Sequence, residues 1–79
     1  MTKLSLVFRN GESGSHITLT WENGQVTKDY NGRVAGRRWE CRQEPEGAQV
    51  FEQWCRRAFM LPSYWRVVST SGFRQAEAA

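Results

Sequence analysis

Histidine occurs once in this chain, at His16, and cysteine twice, at Cys41 and Cys55. A structural zinc site needs several such ligands at short, defined spacings, and haem attachment needs a compact cysteine–histidine motif. One imidazole and two widely separated thiols supply neither, so no metal and no cofactor are expected. The thiols are expected to be reduced, behaving as small buried hydrophobes. Long apolar runs are missing as well. Nothing approaches the roughly 20 residues of a membrane-spanning helix, and no signal peptide precedes the first strand, which speaks for a cytoplasmic protein without membrane contact. The phosphate-cradling and metalloprotease signatures are absent too: there is no P-loop, no GxGxxG and no HExxH. Gly11-Glu12-Ser13-Gly14 misses the G-x-S-x-G spacing of a nucleophile elbow. His16 falls on the polar side of an alternating segment, and the carboxylates are scattered without a singled-out pair. Catalysis is not expected.

Lysine is also scarce, and its place is taken by arginine. Of 11 basic residues only Lys3 and Lys28 are lysines, so nine are arginines. The net charge is +3 and the isoelectric point near 9.3. Arginine presents a planar fork that matches carboxylate and phosphate and stacks on aromatic rings. The chain has 79 residues, enough for a single small core. Four tryptophans, four phenylalanines and two tyrosines are a compact way to fill it.

Periodicity gives the elements. Residues 3–9 alternate Leu4, Leu6 and Phe8 against Ser5, Val7 and Arg9, and residues 16–21 alternate Ile17, Leu19 and Trp21 against His16, Thr18 and Thr20. Asn23-Gly24 then predicts a tight hairpin into residues 25–30, where Val26, Lys28 and Tyr30 share a side. Asn31-Gly32 repeats that chemistry before residues 33–42, in which Gly36 predicts a bulge or bend.

From Glu44 to Pro62 the period changes to 3.6. Ala48, Phe51, Trp54, Cys55, Ala58 and Phe59 gather on one arc of a helix, opposite Gln49, Gln53, Arg56, Arg57 and Met60. Pro45 suits the first turn, and Pro62 forces a stop. Residues 64–70 return to β-forming types. The predicted fold is α+β: an antiparallel meander of four or five strands with one amphipathic helix across a face. One domain is expected over 1–74, with a disordered tail at 75–79.

The arginines supply the candidate site. Arg33, Arg37, Arg38 and Arg42 surround Trp39, and Arg56 and Arg57 lie on the polar side of the helix. With Tyr30 as a partly exposed anchor, they form a candidate partner-binding set, and Arg66 would extend the basic surface. A solvated face balanced by Glu40, Glu44, Glu46 and Glu52 is the plainer reading of the same residues.

Glu22-Asn23-Gly24, Asn31-Gly32-Arg33 with Val34 and Gly36, and the Trp-containing helix running to Leu61-Pro62 resemble the small phage-encoded anti-CRISPR proteins, in particular inhibitors of type I surveillance complexes. The resemblance covers about half the chain and implies a non-enzymatic inhibitor. It would act in a bacterial host's cytoplasm, bind a subunit of that complex (Cascade) and block target-DNA engagement. At net charge +3 the chain departs from the acidic DNA mimics of that group. A small basic nucleic-acid-binding module is the alternative, and the sequence leaves monomer and homodimer open.

Overall fold

The computed structural model describes residues 2–73, so the expected tail at 75–79 lies outside the described residues. Strands β1 (Lys3–Asn10), β2 (His16–Glu22), β3 (Gln25–Tyr30) and β4 (Arg33–Glu40) form the antiparallel meander. Helix α1 (Ala48–Ala58) follows, and β5 (Trp65–Ser71) ends the fold. The architecture is α+β, one five-stranded antiparallel sheet with one helix on it.

Both Asn-Gly turns are two-residue hairpins. Glu22 pairs with Gln25 and Tyr30 with Arg33, and all four central residues have positive φ: Asn23 53°, Gly24 77°, Asn31 50° and Gly32 88°. That is the type I′ pattern, whose twist matches the strands it joins. Asp29 fixes the second turn by accepting the Gly32 N–H at 2.8 Å.

The strand order is β4-β3-β2-β1-β5. The last strand therefore does not extend the meander at β4 but docks on the far edge, against β1. Both strands that flank the helix run in the same direction, so the chain has to cross the sheet between them, and α1 is that crossing. Gly72, just past β5, shows how closely the two ends meet. Its φ is +86°, and a Cβ there would lie 2.1 Å from the Lys3 carbonyl oxygen, so no larger residue fits.

Two bulges punctuate the edges. Val34 pairs with Asp29 and Arg38 with Thr27, leaving residues 35–37 of β4 opposite Lys28 alone. The expected irregularity at Gly36 is thus present, as an interruption that bends the edge strand. On the other side Val7 pairs with Ser69 and Phe8 with Val67, so Val68 is the extra residue of β5.

The helix is shorter than its periodicity predicts. Gly47 is the N-cap, and the first helical bond runs from Phe51 N to the Gly47 carbonyl at 3.1 Å. Glu44, Pro45 and Glu46 stay outside, because a glycine starts a helix more readily than it continues one. At the other end Phe59 is the C-cap, Met60 takes a left-handed φ of 51°, and Leu61 N reaches back to the Arg56 carbonyl at 3.0 Å. This six-to-one closure ends the helix three residues before Pro62.

The core lies between α1 and the face of the sheet carrying Leu4, Leu6, Phe8, Ile17, Leu19, Trp21, Val26 and Trp65. From the helix only Phe51 and Cys55 are fully inside, with Ala48, Trp54 and Phe59 packed at the margin. Ala58, assigned to the apolar arc by periodicity, is exposed, because it falls in the last turn beyond the sheet's cover. The Trp21 indole donates to the Cys41 carbonyl at 2.6 Å and ties the segment between β4 and α1 onto the sheet. Among the described residues the opposite face carries no second layer, and it is lined by Ser5, Thr18, Thr20 and Thr27, as one-sided antiparallel sheets commonly are.

Candidate functional site

The register of β3 and β4 sorts the arginines of the candidate set. Trp39 pairs with the buried Val26, so Trp39 faces the helix, and Arg38, paired with Thr27, projects from the bare face. Arg38 reaches Gln25 there at 3.4 Å. Arg33 pairs with Tyr30, whose ring meets the Trp65 ring at 6.3 Å between centroids, so both lie on the helix side. Arg37, within the bulge, lays its guanidinium over Trp39, 5.1 Å from the ring centroid.

The rings continue from there. Trp39 meets Phe59 at 4.3 Å, and Phe59 meets Trp54 edge-on at 6.1 Å. The Lys28 ammonium stands 5.9 Å over the same Phe59 ring. Arg57 follows Trp54 by three positions, so it occupies that flank of the helix, and it is exposed. One flank of the molecule therefore combines Lys28, Arg33, Arg37 and Arg57 with a partly buried row of Trp39, Phe59 and Trp54. Among the described residues none of these four cations is in an ion pair.

The remaining candidates are engaged elsewhere. Arg56 donates to Glu52 at 2.9 Å, reaches the Pro62 carbonyl at 3.4 Å, and covers the Phe8 ring at 5.4 Å. It is a lid on the core, its alkyl stem and planar head half-buried, rather than a free contact. Arg42 pairs with Glu40 at 3.1 Å, both side chains largely in water, where such a bridge contributes little. The candidate set is thus split: Tyr30, Arg33, Arg37 and Arg57 share a flank, and Arg38, Arg42 and Arg56 do not join it. Arg66 is on the bare face beside β1, four strand spacings or roughly 19 Å from β4.

Lys28 is the member the sequence does not reveal. Its alternation with Val26 and Tyr30 places it on the helix side, but only the helix ending at Phe59 gives it a ring to cover. Tyr30 and Tyr64, each 43% exposed, flank the buried Trp65, whose ring lies 6.5 Å from Tyr64. Trp21 and Trp65 are core, and Trp39 and Trp54 are intermediate.

A groove of about 510 Å³ runs between the β4–α1 segment and the helix, lined by Cys41, Glu44, Glu46, Val50 and Trp54 among others. Both cysteines are free. Burial raises the Cys41 thiol above its ordinary value, and burial first, then the neighbouring Cys41 and Glu52, raises Cys55 further. A raised thiol pKa disfavours the thiolate, the nucleophilic form. Among the described residues no cluster of His, Cys, Asp and Glu gathers to hold a metal, and no helix is long and apolar enough to cross a membrane.

Comparison with family models, with curated proteins and with solved structures finds no match to this chain.

Proposed function

We propose that this protein is a non-enzymatic binding protein that presents its arginine–aromatic flank to an acidic protein surface. The observation that carries the reading is the seating of Arg37 on Trp39 and Lys28 on Phe59, without ion pairs among the described residues. A guanidinium stacked on a ring is held in place while its N–H edge remains open to a carboxylate, so little side-chain freedom is lost on binding. Met60, 83% exposed, adds a soft apolar contact at the end of α1, adjoining Phe59.

The resemblance to small phage inhibitors names the partner to try first: a subunit of a type I CRISPR surveillance complex, with target-DNA engagement blocked by occlusion. The test is capture of the purified complex by the immobilised protein, together with target-DNA binding by that complex. Arg33→Glu with Arg37→Glu is expected to abolish both capture and inhibition, since losing desolvated charge pairs costs about 2–5 kcal/mol and reversal adds repulsion. The matched control is Lys3→Glu with Arg38→Glu on the bare face, which is expected to change neither.

If both double variants weaken capture equally, only net charge matters. The protein would then read as a nucleic-acid-binding module, with duplex-DNA affinity that falls steeply with salt. Capture unaffected by either variant would remove the flank from the mechanism.

A further inference from the structure

At one end of the bare sheet face the register places three basic side chains in a row. Arg9 of β1 is directly opposite His16 of β2 on one side and directly opposite Arg66 of β5 on the other. Their neighbours Phe8 and Ile17 are buried under the helix and Val67 packs against the core, so Arg9, His16 and Arg66 all project from the uncovered face, and all three are exposed. Directly opposed residues in an antiparallel pair have Cα atoms about 4.5–5.5 Å apart, and like charges in that position repel.

Nothing among the described residues neutralises the pair. The ion pairs among the described residues are Arg42–Glu40 and Arg56–Glu52, and neither includes a member of this row. In the face's next row Asp29, opposite Thr18, accepts the Gly32 amide. The chain thus breaks a rule of strand pairing in a sheet that otherwise follows its local rules closely, and such violations concentrate where a ligand is bound.

We propose that Arg9, Arg66 and His16 form a binding site for a phosphate dianion, as free phosphate or a terminal phosphomonoester, separate from the arginine–aromatic flank. Two planar guanidinium forks side by side offer paired N–H donors to the oxygens of one tetrahedral group, and the imidazole adds a donor from the neighbouring strand. Two negative charges match two opposed arginines, whereas a phosphodiester carries one charge and two terminal oxygens. The neighbouring Asn10–Ser15 loop is held firm at the row's edge, with Asn10 Oδ1 accepting the Glu12 and Ser13 amides and Gly11 N donating to the Tyr64 carbonyl.

The test is melting temperature and amide chemical shift against inorganic phosphate, with sodium chloride and dimethyl phosphate at matched ionic strength. Inorganic phosphate is expected to raise the melting temperature saturably and to shift resonances of Arg9, His16 and Arg66, while the two controls do neither. Arg66→Ser and, as a second variant, Arg9→Gln are expected to weaken phosphate binding at least about tenfold, the effect of 1.4 kcal/mol. In low salt without phosphate each variant is expected to melt higher than the parent, because the opposed charges are gone. Arg37→Gln, on the other flank, is expected to keep the full phosphate response. An equal response to the controls, a phosphate response that survives Arg66→Ser, or one that disappears with Arg37→Gln would each overturn the site.

Discussion

Met60 occupies the left-handed position that closes α1, at φ 51°, with its side chain 83% exposed. A non-glycine residue there costs about 1–2 kcal/mol, and glycine returns part of that as extra freedom in the unfolded chain. Met60→Gly is therefore expected to stabilise the fold by about 0.5–1 kcal/mol, read as a small rise in melting temperature. Cys55 carries a pH signature. Burial raises its thiol above the ordinary 9.0, so above that pH the unfolded chain releases a proton that the native chain retains. The stability it contributes is intact below pH 9 and declines as pH rises towards the native value, at up to about 1.4 kcal/mol per pH unit. Urea unfolding across the alkaline range is expected to show Cys55→Ala less stable at neutral pH but with a shallower alkaline decline. Equal slopes in the two proteins would mean that another group carries the dependence.

At the scale of elements, α1 holds the fold through very few side chains. Phe51 is fully buried, stacks on Trp54 at 6.2 Å and meets Phe73 at a tilt at 5.9 Å, centroid to centroid. Phe51→Ala is expected to cost about 3–5 kcal/mol, enough to unfold much of so small a domain at ambient temperature, as circular dichroism would show. The five strands were legible in the sequence within two residues at either end, because alternation and the two Asn-Gly pairs are local signals that tertiary contacts here reinforce. Helix limits were less legible. Pro45 carries a starting signal, but Gly47 two residues on takes the cap, and the closure at Met60 precedes the stop at Pro62. The candidate site was half legible. Residue type singled out the arginines, but whether an arginine is free depends on what faces it. Arg56 sits on the polar side of the wheel and still folds back over Phe8, a ring 48 residues earlier in the chain. Lys28 became part of the flank through Phe59, a contact no local pattern encodes.

For the whole molecule, the position of β5 matters most. A meander would have added it at β4, leaving β1 as an edge; instead β4 and β5 are the edges, and each is interrupted by a bulge. A bulge bends a strand and spoils it as a template for another chain, and the three arginines of β4 add charge to that protection. The same order puts the two proposed surfaces on opposite faces of the sheet. The arginine–aromatic flank borders β4 on the helix side, and the opposed arginines border β5 on the bare side, so the two can be occupied together.

The close meeting of Gly72 with Lys3 makes the fold, in effect, a ring with one cut in it. Joining the ends by a short linker and reopening the chain between Glu40 and Gly47 would give the order α1-β5-β1-β2-β3-β4. Every strand would then pair with its neighbour in sequence, and the longest-range pairing of the native chain, β1 with β5, would become a local one. Folding rate falls as contacts become less local, whereas stability depends on the contacts themselves. Such a circular permutant is expected to refold several-fold faster in stopped-flow measurements and to unfold at nearly the same urea concentration.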